Sequence, residues 1–221
     1  MDLLTATGAV LPPTLALLWS SSFGEVRGVH DWLVPGAVWR SEQPHRVLTF
    51  DDGPDPERTP RLLDVLAAAR VPAVFFVLGQ QAERHPGLVR RMVAEGHVVG
   101  NHSWSHPWML PMARARIAEE LDRCQKVVAD ITGVLPRLAR PPYGQRDYRY
   151  NQLARERGLT PVLWSRNLRD YWGTGPEQLM RRLERSRPGD VLLMHDGDPK
   201  APHTVEAVER WLRTGPAVGL L

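Results

Sequence analysis

The feature that most constrains the fold is an alternation that sets in near residue 46. Short apolar, β-branched runs take turns with longer stretches whose apolar residues recur at helical spacing. Val47-Leu48-Thr49-Phe50 ends in Asp51-Asp52-Gly53-Pro54 and is followed by a helical pattern from Thr59 to Ala69. Ala73 to Leu78 predicts a buried strand, His85-Pro86 opens a helix that runs to Glu95 and is closed by Gly96, and His97 to Gly100 predicts a third strand. The longest helical pattern, Arg114 to Ile131, carries Ile117, Leu121, Cys124, Val127 and Val128 on one face. Leu138-Ala139, a helix near Tyr150 to Glu156, Pro161 to Trp164, a helix around Pro176 to Arg185, the run Val191 to Met194 and a helix from about Thr204 to Arg213 complete the series. Such alternation predicts an α/β fold, a parallel sheet with helices outside it. A chain of 221 residues with 43% apolar content is long enough for one sizeable core and short for two domains.

Composition removes several function classes. The net charge is +3, and basic residues occur as short pairs such as Arg90-Arg91 and Arg181-Arg182 among acids, so no block of like charge predicts nucleic-acid binding. Cys124 is the only cysteine, which excludes an intramolecular disulfide and a thiolate metal cluster; its place on an apolar helix face predicts a buried, inert thiol. Residues 1–40 form an apolar lead-in to a domain spanning 41–221. Leu3 to Gly24 is uncharged but broken by Pro12-Pro13 and preceded by Asp2, so it matches neither an export signal with a basic start nor a membrane span. A packed entry segment, an export or anchor segment, and membrane-surface association through residues 1–24 stay open, and the uncharged stretch favours the cell envelope or secretion over the cytoplasm.

The polar clusters share one placement. Asp51-Asp52, His102 with His106, Arg140 to Tyr143, Asp170 and His195 each follow a strand candidate. In parallel α/β folds the carboxyl ends of the strands build the active site, so these residues are expected to converge. The four-residue spacing of His102 and His106 puts both imidazoles on one side of a helical turn, as one metal ion requires. Two adjacent carboxylates repel unless a cation or an Arg offsets them; Arg140 could offset one, and a metal the other. Two imidazoles and one carboxylate leave coordination positions open, the arrangement of a catalytic metal site. The second carboxylate is then free to act as a base, and His195 to protonate a leaving group, which suits metal-assisted hydrolysis of a carbonyl compound.

Thr49-Phe50-Asp51-Asp52-Gly53-Pro54, His102-Ser103-Trp104-Ser105-His106, Arg140-Pro141-Pro142-Tyr143-Gly144 and Leu193-Met194-His195 resemble, in order, the successive motifs of the polysaccharide deacetylases, the NodB-homology or carbohydrate esterase 4 family. The resemblance covers roughly residues 46 to 213. It implies a distorted (β/α) barrel with fewer than eight regular strands, and a divalent metal, zinc first and cobalt next, held by Asp52, His102 and His106. It further implies Asp51 as general base, Arg140 as the group that holds Asp51 ionised and oriented, His195 as general acid, and the Tyr143 N–H as a donor to the oxyanion. Pro141, Pro142, Tyr143 and Leu193 are expected along the substrate groove.

The fourth motif departs from the family. Its two acids and Trp stand here as Asn167-Leu168-Arg169-Asp170-Tyr171-Trp172, so Asn167 replaces the first acid. Asp170 aligns with the second, which in the family supports the catalytic His, and either Tyr171 or Trp172 is the aromatic of the acetyl pocket. Trp104 and Trp108 flank the second motif, where a sugar platform and plain packing are equal expectations, and Asp196 offers either another carboxylate or a turn residue before Gly197. The implied activity is removal of N-acetyl groups from N-acetylglucosamine-containing glycans, chitin-like, peptidoglycan or lipid-linked, with release of acetate. O-acetyl ester or non-sugar amide hydrolysis on the same site, and a glycan-binding relative without turnover, are the alternatives.

Overall fold

A computed structural model describes residues 35–171 and 173–221. The apolar stretch Leu3 to Gly24 and Trp172 lie outside the described residues. Seven parallel strands form one curled sheet: β1 (Val47–Asp51), β2 (Val74–Val77), β3 (Val98–Asn101), β4 (Leu138–Ala139), β5 (Thr160–Pro161), β6 (Arg166–Asn167) and β7 (Val191–His195), in the spatial order β5-β4-β3-β2-β1-β7-β6. The helices are α1 (Arg58–Ala69), α2 (Gly79–Arg84), α3 (Pro86–Ala94), α4 (Arg114–Thr132), α5 (Tyr148–Glu156), α6 (Pro176–Glu184) and α7 (Thr204–Leu212). This is the distorted, incomplete β/α barrel expected. Its edge strands β5 and β6 do not pair; residues 38–40 lie beside this seam, with Val38 bridging Val162 and Arg40 bridging Asp190.

The period-2 rule of a strand explains where the chemistry falls. Leu48 and Phe50 of β1, Phe75 and Val77 of β2, and Leu192 and Met194 of β7 pack outward against the helices with Leu62, Leu66 and Val208. Their alternates, Val47, Val74, Phe76 and Val191, pack together inside the barrel. Thr49 and Asp51 share parity with Val47, and Leu193 and His195 share parity with Val191, so the polar ends of both strands face the barrel axis. The register makes Asp51 and His195 direct neighbours across the ladder. Residue parity and strand pairing thus bring together two groups 144 positions apart before any loop is considered.

Three elements differ from expectation. Only Thr160–Pro161 of the run to Trp164 is strand, because Leu163 and Trp164 turn away to pack with Trp39 and Leu193. Arg166–Asn167 forms β6, and Gly79–Arg84 forms the short helix α2, neither of which the apolar pattern announces.

Candidate active site

At the carboxyl ends of the strands lies a cavity of about 300 Å³ lined by Asp51, Asp52, His102, His106, Tyr143 and His195, with Trp164, Tyr171 and Leu193 among its walls. His102 and His106 are not on a helical turn, contrary to the expectation from their spacing. They sit in the loop after β3, and left-handed backbone at Ser103 (φ 71°) and His106 (φ 61°) folds that loop back so that the rings lie 5.0 Å apart. Hydrogen bonds hold this conformation: Ser103 N–H donates to Asn101 Oδ1 at 2.9 Å and His106 N–H to Ser103 Oγ at 3.1 Å. The buried Glu120 of α4 accepts from the N–H groups of Trp104 (3.0 Å) and Ser105 (2.8 Å) and from the Ser105 hydroxyl (2.9 Å).

Asp52 also has left-handed backbone, φ 73°, which turns its side chain toward the imidazoles. Its Oδ1 stands 3.4 Å from His102 Nε2 and 3.3 Å from His106 Nε2, is buried, and has no hydrogen-bond partner among the described residues. Donors about 2.0–2.1 Å from a tetrahedral ion stand about 3.3 Å from one another, so these three atoms fit a single cation. Their protonation suits the same use. Burial pushes the Asp52 carboxyl up, but the imidazoles, His102 foremost, outweigh it and hold the group well below the usual carboxylate range. Burial, with the charge of His102, lowers His106 to about 4, leaving a neutral ring. His102 donates from Nδ1 to the Arg140 carbonyl at 2.7 Å, which frees Nε2 for the metal position and fixes the ring. Burial opposes charge on that ring, while Asp51 and Asp52 outweigh it and raise its pKa.

Asp51 faces a different partner. Arg140 is fully buried; it donates to Asp51 Oδ1 and Thr49 Oγ1, both at 2.7 Å, and to the carbonyls of Val162 and Leu163. Its guanidinium carbon lies 4.2 Å above the Phe76 ring. These contacts supply the charge balance of the Arg without any acid at position 167, and Asn167 instead accepts from the Arg169 N–H and donates to the Tyr171 hydroxyl. The other oxygen of Asp51 lies 3.7 Å from His102 Nε2, on the side of the metal position.

Across the cavity, His195 donates from Nδ1 to Asp170 Oδ1 at 2.9 Å. Asp170 is buried and also accepts from the His195 N–H and the Thr204 hydroxyl, each at 2.7 Å. Burial opposes charge on His195, but Asp170, helped by Asp52 and Asp51, raises its pKa to about 10. The ring packs edge-on to Tyr171 at 4.9 Å.

Tyr143 has left-handed backbone (φ 58°) in the turn Pro142–Gly144, and its ring meets His106 edge-on at 4.4 Å. Gly144 is required here: its φ is +68°, and a Cβ would come within 2.5 Å of the Trp164 ring. Pro141 and Pro142, expected along the groove, are buried and outside the cavity wall, whereas Tyr143, Leu193 and Tyr171 line it. Trp104 resolves as packing, buried and stacked under the Arg123 guanidinium at 3.9 Å, whereas Trp108 is 60% exposed. Asp196 is no simple turn residue: it is buried beneath the Asp51-Asp52 loop, accepts from Thr59 Oγ1, and is pushed up to about 7 by burial. Cys124 is the buried thiol expected, raised to about 12 by burial.

Sequence reasoning missed Glu120, Trp164, Asp198 and Lys200, the last three of which line the cavity. Glu120 left a trace, an acid next to the apolar stripe of α4. A three-ligand cation position, a separate carboxylate and an imidazole acid within one cavity are the parts of metal-assisted hydrolysis.

Comparison with known proteins agrees with this geometry. The polysaccharide deacetylase family model matches residues 40–162. A peptidoglycan-N-acetylglucosamine deacetylase of Bacillus cereus is 38% identical over 149 residues, 67% of this chain and 54% of that protein. A chitooligosaccharide deacetylase of a Bradyrhizobium species is 41% identical over 154 residues, 69% of this chain and 70% of that protein. The crystal structure of a peptidoglycan N-acetylglucosamine deacetylase bound to 4-naphthalen-1-yl-N-oxidanyl-benzamide superposes with a TM-score of 0.79 at 32% identity, covering 84% of this chain and 90% of that one. The chain therefore spans about half the length of its Bacillus cereus relative. With its motif residues gathered at one end of the barrel, the chain belongs to the polysaccharide deacetylase family.

Proposed function

We propose that residues 41–221 form the catalytic unit of a metal-dependent hydrolase that removes N-acetyl groups from N-acetylglucosamine-containing glycans of the cell envelope, peptidoglycan or a related oligosaccharide, releasing acetate and a free amine. The observation that carries this reading is the division of labour between adjacent carboxylates: Asp52 faces two imidazoles, and Asp51 faces a buried Arg. The relatives named above, deacetylases of peptidoglycan and of chitooligosaccharide, support the substrate class.

Asp52, His102 and His106 would hold a divalent cation, zinc first by its preference for tetrahedral N and O donors. When bound, the cation supplies Lewis acidity and makes water nucleophilic near neutral pH. The protein supplies the rest. Asp51, fixed through Oδ1 by Arg140, takes the proton of the attacking water with its other oxygen. The Tyr143 N–H, presented by the left-handed turn, donates to the oxyanion of the tetrahedral intermediate. His195, held through Nδ1 by Asp170, gives its Nε2 proton to the departing nitrogen, so the C–N bond breaks to an amine and acetate. Leu193 and Tyr171 wall the space for the acetyl methyl group.

The test is acetate release from N-acetylglucosamine oligomers and from peptidoglycan by chelator-stripped protein, before and after zinc or cobalt is restored. Release that returns with metal and is lost in Asp51→Asn is expected. Metal-loaded protein that releases acetate only from O-acetyl esters would overturn the N-acetyl reading.

A further inference from the structure

His195 closes β7, and the next residue, Asp196, points to the other side of the strand, away from the barrel axis and toward α1. Its carboxyl is buried, makes no ion pair among the described residues, and leaves Oδ1 without a hydrogen-bond partner. Oδ2 accepts from the hydroxyl of Thr59, a fully buried residue in the first turn of α1, and that hydroxyl in turn accepts from the Asp55 N–H at 2.8 Å. A second bridge lies alongside. Asp55 Oδ1 accepts from the N–H groups of Glu57 (3.0 Å) and Arg58 (2.8 Å), and the Arg58 guanidinium spans from Asp55 Oδ2 at 2.8 Å to the Gly197 carbonyl at 3.3 Å. The loop after β1 and the loop after β7 are therefore tied together twice. An acid buried with one oxygen unpaired, close to Asp51 and Asp52, carries a desolvation cost, so stability of the fold does not account for its place.

What the two loops enclose is the turn that separates the adjacent carboxylates. The left-handed backbone of Asp52, φ 73°, is unfavourable for a residue with a Cβ and persists only where its neighbours hold it. Those neighbours are residues 196 and 197. The Asp51 carbonyl accepts from the N–H groups of Asp196 (3.2 Å) and Gly197 (3.3 Å). A Cβ at Gly53 would come within 2.3 Å of Asp196 Oδ2, and one at Gly197 within 2.2 Å of the Asp52 carbonyl, so the carboxyl and the turn are packed with no space between them. We propose that Asp196, braced by Thr59, is a positioning residue: it holds the Asp52 turn in its left-handed form, and so keeps the Asp52 carboxylate on the two imidazoles while Asp51 faces Arg140. The inference rests on the metal-hydrolase reading above. It goes beyond that reading in assigning the support of the carboxylate ligand to an acid that is no part of the cavity wall.

The experiment is zinc calorimetry on the chelator-stripped full chain for wild type, Asp196→Ala, Asp196→Asn, Thr59→Val and Thr59→Ser, each beside its urea midpoint. Asp196→Ala and Thr59→Val should each weaken zinc binding roughly tenfold. Asp196→Asn keeps an oxygen for the Thr59 hydroxyl and Thr59→Ser keeps the hydroxyl, so both should bind within about threefold of wild type. A pH–rate profile of acetate release separates an effect on Asp52 from one on the adjacent His195: the alkaline limb should stay in its wild-type place, because Asp170 and not Asp196 holds that ring. Variants that lose urea stability but, while folded, bind zinc as tightly as wild type overturn the proposal, since Asp196 then serves the fold alone. A displaced alkaline limb with unchanged zinc affinity also overturns it, while leaving the metal-hydrolase reading intact. Should Asp196→Ala fail to fold, Thr59→Val against Thr59→Ser decides by the same comparison. Wild type that binds no zinc defeats the parent reading and the inference together.

Discussion

Replacing Asp170 by Asn keeps the size of the side chain and removes the charge that most favours a protonated His195. The folded environment raises that imidazole from 6.5 to about 10, with Asp170 the foremost favourable partner and burial opposing it. At about 1.4 kcal/mol per pKa unit this is roughly 5 kcal/mol in favour of the imidazolium, with Asp170 the largest favourable contributor. The sign follows from the direction of the shift. Because the folded value lies above the unfolded one, protonated His195 stabilises the fold fully below about pH 6.5, and that contribution fades as pH rises toward 10. As general acid it is therefore charged across neutral pH and lost on the alkaline side. In Asp170→Asn the largest favourable contribution is gone while Asp52 and Asp51 remain against burial, and the alkaline limb of kcat should move toward neutral pH by roughly two to three units. A bound cation lowers the His195 pKa in both proteins, so the limbs are compared in the same metal-loaded state. Stability should also fall: Asp170 accepts three hydrogen bonds, an amide oxygen accepts two well, and the buried donor left over costs about 1–3 kcal/mol. The assay is a pH–rate profile of acetate release beside a urea titration. An alkaline limb that stays in place in Asp170→Asn would refute the assignment of His195 as the acid.

Other perturbations test other contacts. Arg140→Met leaves the buried Asp51 carboxylate without its partner and should cost about 3–5 kcal/mol in urea unfolding, with activity abolished; Arg140→Lys cannot span the same four acceptors and should rescue little. Gly144→Ala places a methyl against the Trp164 ring in a left-handed position, and a loss of about 1–3 kcal/mol in thermal unfolding is expected. Asp51→Asn should bind zinc with near wild-type affinity in calorimetry and turn over nothing, whereas His102→Ala with His106→Ala should lose zinc binding; zinc loss in Asp51→Asn would contradict the separation of the two carboxylates.

The fold was legible where hydrophobic period carried it. β1, β2, β3 and β7 are short apolar runs with both faces covered, and α4 has a buried stripe about three turns long, so their types follow from pattern alone. β6 was not legible because it is two half-buried polar residues held by pairing with β7, and α2 because six residues are too few for a period to register. In the site, residue types and order pointed to the right partners, but the physical reason offered for the His pair failed. Helical spacing implies adjacent rings by regular backbone, whereas here two left-handed residues bring them together. Arg140 as the offset to an adjacent carboxylate was legible from its place after a strand, whereas Asp170 under His195 was legible only through family resemblance, since no local pattern links positions 25 residues apart.

Left-handed backbone is concentrated at this site. Of the described non-glycine residues with positive φ, Asp52, Ser103, His106, Tyr143 and Arg169 lie in or beside it, and only Arg70 caps a helix elsewhere. Each costs of order 1–2 kcal/mol, so the surrounding structure must hold the conformation, and for the imidazole loop the holder is Glu120. It reaches from α4 to two backbone N–H groups and a hydroxyl between the two ligands, touching neither ring. Glu120→Ala would leave the buried Trp104 N–H without an acceptor and free the loop to relax, whereas Glu120→Gln keeps an oxygen for the N–H groups and an amide for Ser105. Supporting groups of this kind are worth about 10- to 100-fold in metal affinity. Zinc calorimetry should therefore show that loss in Glu120→Ala and a smaller one in Glu120→Gln, with the urea midpoint falling in the same order. If Glu120→Ala binds zinc as tightly as wild type, the ligand loop holds its shape without Glu120, through the Asn101 and Ser103 side chains and the Gly79 and Gln80 N–H groups that donate to the Ser103 and Trp104 carbonyls.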